Sequence, residues 1–360
     1  MLQNFDLSII VEPLLKWFKG NARVLPWREN PTAYRVWVSE IMLQQTRVEA
    51  VIPYFERFVQ KLPDVKELAK CEEEVLLKLW EGLGYYNRVR NMQIAAQTIM
   101  EDYQGQIPDD YELLLELKGI GHYTAGAISS IAYGKPNPAV DGNVLRVITR
   151  VCADDSDIMK DSFKRKVEEA LKAIMPKEQA SAFNQALMEL GATVCIPNGE
   201  PLCHQCPWEK ICEAKKQEKW RQLPVKIKKT TRKQEEKTIF VIRKENSIVL
   251  NKRPKKGLLA GLYEFPNVSS YLSEEDALKW IKNKNLKPLK MIPLEPAKHI
   301  FSHVEWHMKG YMVWIDELEE ENSDFLFVEI EETERNYPIP SAFSAYTKYM
   351  NLKLGVDNIL

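Results

Sequence analysis

Apolar residues recur every three to four positions through most of the first 222 residues, and that period predicts helices. The runs are Leu7 to Trp17, Val36 to Phe58, Glu73 to Trp80, Arg88 to Tyr103, Tyr111 to Leu117, Thr124 to Tyr133, Val144 to Cys152, Asp161 to Ile174 and Ala180 to Leu190. Polar and Gly/Pro turns separate them. Around residues 223–237 the pattern dissolves into a charged, mainly basic stretch, which reads as a linker and a candidate phosphate-facing segment. Beyond it the period changes to two. Thr238 to Arg243 and Ser247 to Asn251 are predicted strands flanking a turn at 244–246, and His307 to Ile315 is another. Glu274 to Asn283 and Ser341 to Asn351 return to a helical period, so an α+β domain is expected after a mainly helical region. The acidic run Asp316 to Glu321 reads as an exposed loop.

A chain of 360 residues is too long for one ordinary core, so two domains are expected. Apolar residues make up 45% and charged residues 28%, the balance of a soluble globular protein. A formal net charge of −1 argues against a uniformly basic nucleic-acid binder, so any DNA contact must come from a local patch or from backbone donors. No apolar run approaches membrane-spanning length and the first residues lack a basic leader, so a cytoplasmic protein is expected.

The six cysteines are unevenly placed. Cys71 and Cys152 stand alone, whereas Cys195, Cys203, Cys206 and Cys212 follow C-x7-C-x2-C-x5-C. Four clustered thiols in a reducing compartment point to metal ligation rather than disulfides. The donor chemistry leaves two readings open, a four-thiolate zinc site and a [4Fe-4S] cluster.

The stretch Leu117 to Gly126 places Gly119 and Gly121 around one apolar residue, a tight turn whose N–H groups can face an anion such as a DNA phosphate. Thr124 is expected to start the next helix. Asp141 precedes the apolar-periodic run Gly142 to Arg150, so it reads as an N-cap, a position expected to keep its carboxylate ionised at neutral pH. Glu40 lies in the apolar run Val36 to Leu43, where desolvation would raise its pKa. Two carboxylates in different environments suit glycosidic bond cleavage, one giving a proton to the leaving group and one staying negative beside the developing cation.

With the hairpin, the aspartate and the cysteines in this order, the chain resembles the adenine DNA glycosylases of the MutY type, within the helix-hairpin-helix superfamily that includes endonuclease III. Further matching segments are Leu25 to Arg28, Trp37 to Thr46, Gly82 to Tyr86, Phe183 to Leu187, Gly257 to Pro266 and Phe301 to His303. The resemblance implies a catalytic region over 1–222, with a six-helix barrel at 27–134 and an iron-sulfur module from 1–26 and 135–222. It implies a linker at 223–237 and a Nudix-like (MutT-like) domain over 238–360 that recognises 8-oxoguanine. The implied activity is excision of adenine opposite 8-oxoguanine or guanine, leaving an abasic site.

By the same resemblance Glu40 protonates adenine N7, Asp141 stabilises the cation or bonds transiently to C1′, Tyr123 meets the sugar, and Asn143 orients the Glu40 and water network. Tyr123 stands where bifunctional relatives carry a lysine; a phenol cannot form an imine, so a monofunctional enzyme is expected. Trp27, Arg28, Leu43 and Gln185 are expected to line an adenine pocket. Gln45 and Tyr85 are expected to penetrate the duplex, Thr46 and Leu83 to touch the opposite base, and Phe301, Ser302 and His303 to read it. Ser302 can accept from the N7–H of 8-oxoguanine, which guanine lacks.

The resemblance favours [4Fe-4S] over zinc on Cys195, Cys203, Cys206 and Cys212, fixing a loop that presents Lys210, Lys215 and Lys216 to phosphates. It adds the hairpin carbonyls as a candidate site for a structural Na+, K+ or Ca2+ ion. A monomer acting on double-stranded DNA is expected. Two departures stand out: the first cysteine gap is one residue longer than the family's six, and Lys118 replaces a frequent proline. No glycine-plus-glutamate box follows residues 252–266, which disfavours a nucleotide hydrolase. The other rivals are an endonuclease III-like enzyme for oxidised pyrimidines and a non-catalytic iron-sulfur DNA-binding protein.

Overall fold

Thr32 opens the central helix of the helical region by accepting the N–H of Arg35, and from there almost every side chain to Met42 is buried. A computed structural model describes residues 5–227, 232–316 and 325–355. In chain order the helices are α1 (Val11–Asn21), α2 (Pro26–Glu29), α3 (Ala33–Leu43), α4 (Val48–Lys61), α5 (Val65–Lys70), α6 (Glu73–Leu79), α7 (Asn87–Asp102), α8 (Tyr111–Glu116), α9 (His122–Ala127), α10 (Gly142–Val151), α11 (Asp161–Ile174), α12 (Ala180–Thr193) and α13 (Glu213–Lys216). After them come β1 (Lys233–Lys244), β2 (Ser247–Lys252), β3 (Tyr263–Glu264), β4 (Asn267–Val268), α14 (Glu274–Asn283), β5 (Pro288–Ile300), β6 (Val304–Ile315), β7 (Leu326–Glu329), α15 (Ile330–Asn336) and α16 (Ser344–Thr347). The expected sequence of a helical region followed by an α+β region holds.

Two units divide the chain: Met1–Lys70 with Arg90–Lys228, and Cys71–Val89 with Lys229–Leu360. In the first, α1, α10, α11 and α12 close one core around Leu14, Val144, Ile148, Val167, Phe183 and Leu187. That core gathers residues from both ends of the helical sequence. In the second, a mixed sheet runs β3-β2-β1-β6-β5, with β1 parallel to β6 and antiparallel to β2. Both faces of β1 are covered, which is why Ile239 to Ile242 is uniformly apolar. Ile239 and Val241 pack toward Phe343 and Tyr346, while Phe240 and Ile242 face α14, where Phe240 stacks on Trp280 at 4.3 Å.

Several expectations change. The apolar run 36–58 is two helices, α3 and α4, separated where Gln45 takes a left-handed φ of 61°. Helix α9 begins at His122 with Gly121 as N-cap, so Thr124 sits buried inside it rather than starting it. Of the two hairpin glycines, Gly119 has the left-handed φ of 83°, and a Cβ there would lie 2.8 Å from that of Asn91. Gly121 has an ordinary extended backbone. Within the stretch expected as a linker, Leu223 is buried, Val225 bridges Asp157 and β1 starts at Lys233, while 228–231 lie outside the described residues. The helix expected at 341–351 is α16 flanked by 3-10 turns. The acidic run 316–321 lies outside the described residues except for Asp316.

Candidate active site

Helices α2, α3, α9, α10 and α12 surround a cavity of about 750 Å³ in the first unit. Trp27, Arg28, Glu40, Leu43, Gln45, Thr46, Tyr123, Asp141, Asn143 and Gln185 all line it. Sequence reasoning therefore brought ten candidate residues to one place.

Glu40 is 4% exposed, on the face of α3 that meets α9. Burial raises its pKa to about 7, the Asp141 charge adds to that, and a hydrogen bond from the Tyr123 hydroxyl and the Arg28 charge offset part of it. The same burial, with Glu40 and Asp141 nearby, pushes the Tyr123 phenol well above its usual value, so Tyr123 is a neutral donor. Asp141 caps α10, its Oδ1 accepting the Val144 N–H at 2.7 Å. The expected cap is present, and a second effect acts beside it. Burial in the cleft raises the Asp141 pKa, and the hydrogen bonds from Val144 and Asn143 with the Arg146 charge offset only part of the rise.

Asn143 is tied to Asp141: its amide donates to Asp141 Oδ2 at 2.7 Å and its oxygen accepts from Arg146 at 2.9 Å. It thus orients Asp141. Arg146 also donates to the carbonyls of Gly191 and Cys195. Gly191 is required here by close approach, since a Cβ would lie 2.7 Å from that of Asn143.

Among the cavity residues that escaped the sequence reading are Arg23 and Glu189. Glu189 is buried one helical turn from Gln185, its carboxylate held by Arg23 (Nε, 2.6 Å) and Arg28 (Nη2, 2.8 Å). Burial would raise it, yet the hydrogen bonds from Arg23 and the nearby Arg28 charge bring it below the ordinary range. The four-residue spacing of Gln185 and Glu189 on an apolar helix was the available signal. Trp27 packs edge-on against Phe55 at 5.4 Å, and Gln185 donates to Ser181 at 3.1 Å.

Other candidates lie elsewhere. Leu83 is buried and Tyr85 is half exposed in the turn after α6. Ser302 and His303 form the exposed turn between β5 and β6, and Phe301 packs against His299 and Trp306. Both turns belong to the second unit, where the Tyr85 hydroxyl and Ser302 Oγ are 3.2 Å apart. Cys195, Cys203, Cys206 and Cys212 line a separate cavity. Lys215 and Lys216, expected to face phosphate, are ion-paired with Glu209 and Glu213.

Residues 38–177 match the HhH-GPD superfamily of base excision DNA repair proteins, and residues 238–349 match the NUDIX domain. An adenine DNA glycosylase of Buchnera aphidicola is 36% identical over 318 residues, covering 87% of this chain and 90% of that protein. The chain belongs to the adenine DNA glycosylase family. A second adenine DNA glycosylase, from Mus musculus, is 34% identical over 370 residues, covering 87% of this chain and 72% of its own length. Among solved structures, a thermostable thymine-DNA glycosylase is similar with a TM-score of 0.53 and 26% identity, covering 58% of this chain and 96% of its own. Endonuclease III in a non-covalent DNA complex gives 0.51 and 26%, covering 61% and 98%. The adenine DNA glycosylase fold here is thus a helical HhH-GPD region followed by a Nudix-like domain, and the enzyme is a DNA glycosylase of base excision repair. No helix among the described residues is long and apolar enough to cross a membrane.

Proposed function

We propose that this adenine DNA glycosylase removes adenine paired with 8-oxoguanine or guanine by monofunctional hydrolysis. The observation that carries the reading is the meeting of buried Glu40 and half-buried Asp141 in one cavity, with Glu40 poised near neutrality. The target nucleotide must leave the duplex stack to enter such a cavity. Trp27, Leu43, Gln185, Arg28 and the additional pair Arg23 and Glu189 form its adenine-binding walls. Protonated Glu40 gives its proton to adenine N7 as the C1′–N9 bond breaks and the bonding pair leaves with the base. Ionised Asp141 balances the positive charge at C1′, directly or through a transient C1′–O bond. Water then adds to C1′ and returns a proton to Glu40. Tyr123 donates to Glu40 and supplies no amine, so the product is an abasic site in an unbroken strand.

The hairpin at Gly119 and Gly121 would bind a phosphate, and its carbonyls a structural cation. Gln45, Thr46, Leu83, Tyr85, Phe301, Ser302 and His303 would engage the duplex and the opposite base. The left-handed backbones of Gln45 and Tyr85 support this, since such strain concentrates at functional positions.

A [4Fe-4S] cluster fits the four cysteines. They line one cavity, and thiolate sulfur suits the iron of such a cluster. Arg150 donates to Cys195 Sγ at 3.3 Å, and the N–H groups of Trp208, Ala214 and Lys215 face Cys206 and Cys212. Without a cationic centre, burial pushes the Cys206 thiol to about 12, so the thiolate form needs such a centre. When bound, the cluster would supply the cross-link that holds the loop between α12 and α13. We expect a monomer in the cytoplasm, acting on chromosomal DNA.

Single-turnover reactions on duplexes with adenine opposite 8-oxoguanine, guanine, cytosine or thymine test the proposal. Adenine loss opposite the first two, with breaks appearing only after alkali, is expected. Adenine left in place by cluster-loaded protein, or strand breaks without alkali, would overturn it.

A further inference from the structure

Beside the turn Gly82 to Tyr86 lies a buried carboxylate that the proposed chemistry does not use. Glu81 is 1% exposed. Its Oε1 accepts the N–H of Ile339 at 2.7 Å, and its Oε2 accepts the N–H of Gly355 at 2.9 Å and pairs with Lys78 Nζ at 2.9 Å. Lys78 in turn donates to the carbonyls of Thr333 and Tyr337 at 3.3 and 3.2 Å. Two side chains three residues apart thus tie down four points between residues 333 and 355. Burying an ion pair is costly, and apolar contacts alone would dock a helix here. What a carboxylate accepting two main-chain N–H groups adds is a fixed register.

The element so fixed is unusual. Gly82, Gly84 and Tyr85 have φ of 99°, 68° and 48°, a turn held further by Trp80 Nε1 to the Gly84 carbonyl (3.1 Å) and Arg88 to the Leu83 and Gly84 carbonyls (3.0 and 3.1 Å). Its tip reaches the β5–β6 turn through Tyr85 and Ser302. We propose that Glu81 is a positioning residue for recognition of the base opposite adenine: with Lys78 it locks the Tyr85 turn to the Ser302 turn as one reader before DNA arrives. Glu81 touches no base. The inference rests on the reading of Phe301 to His303 as the opposite-base loop.

Glu81→Gln keeps the shape but turns one acceptor into a donor facing a main-chain N–H. Full-length wild type and variant are compared for single-turnover excision and duplex affinity, with adenine opposite 8-oxoguanine or guanine. The 8-oxoguanine preference is expected to fall roughly tenfold, the loss of about one well-placed hydrogen bond, through weaker binding of the 8-oxoguanine duplex. Excision opposite guanine stays within about twofold of wild type on that same scale. Adding Glu81→Gln to Ser302→Ala should lower the preference no further, since both act on one reader. If Glu81→Gln fails to fold, Glu81→Asp keeps the charge with a shorter reach and the same loss of preference is expected. Equal loss on both duplexes, or an unchanged preference, would overturn the inference. A wild type with no preference would instead overturn the opposite-base reading.

Discussion

As the proposed acid, Glu40 would serve catalysis at the expense of the fold, and pH dependence should show both. As an acid it must be protonated, so excision should decline as pH rises through about 7, the value burial imposes. Asp141 must be ionised, so an acid limb should lie above the ordinary carboxylate pKa of 3.8. Asn143→Ala removes a hydrogen bond that favours ionised Asp141 and should move that limb to higher pH; a pH–rate profile checks both limbs. For stability, a pKa raised from 4.5 to about 7 means a contribution that is complete below about 4.5 and lost as pH rises through 7. Glu40→Gln should therefore raise stability at pH 8 by about 3 kcal/mol, measured by denaturant melts, while excision falls about 10²- to 10⁴-fold. The meeting of Glu40 and Asp141 in one cavity was legible in the sequence because each sits in a recognisable local motif. The direction of the Asp141 shift was not, since a cap is local whereas burial comes from distant elements. Arg23 escaped notice for the same reason, being 166 residues from its partner Glu189.

Periodicity located the long helices well and the places where the chain turns against its pattern less well. The break at Gln45 carries no Gly or Pro, so nothing local announced it. Strand β5 was not anticipated because it holds Pro288, Pro293 and Pro296. As an edge strand beside β6 it needs fewer ladder donors, and its register shifts between Leu294 and Ala297 accommodate them. Helix α12 illustrates how an element delivers a distant group. Asn184 on α12, fully buried, accepts the Ala139 N–H at 3.1 Å and donates to the Asn137 carbonyl and Ser130 at 2.8 and 2.7 Å. These bonds fix the segment leading to Asp141. Asn184→Ala strands several buried polar groups and should cost about 3 kcal/mol, with kcat falling more than KM changes. A thermal melt alongside steady-state kinetics would show it.

Across the whole molecule, domain order and sequence order differ. Composition indicated two domains, and the change from helical to strand period falls near Lys229, where the longer segment of the second unit begins. That residues 71–89 group with the second unit was not legible, because the ties from Lys78 and Glu81 run to residues 333–355. Hydrogen exchange should accordingly find the amides of 71–89 opening with the sheet of the second unit and not with α10 and α12. The same ties impose a schedule on synthesis. Glu81 and the Ile339 N–H are 258 residues apart, which at about 5 to 20 residues per second is roughly 13 to 50 seconds of translation. Well before that interval ends the cavity's own residues, none beyond Lys226, have all emerged, whereas the turn bearing Tyr85 still has nothing to register against. The proposed catalytic cavity is therefore built first and its proposed lock last, and a nascent chain stalled before Gly355 would carry the cavity without the full restraint on where it is used.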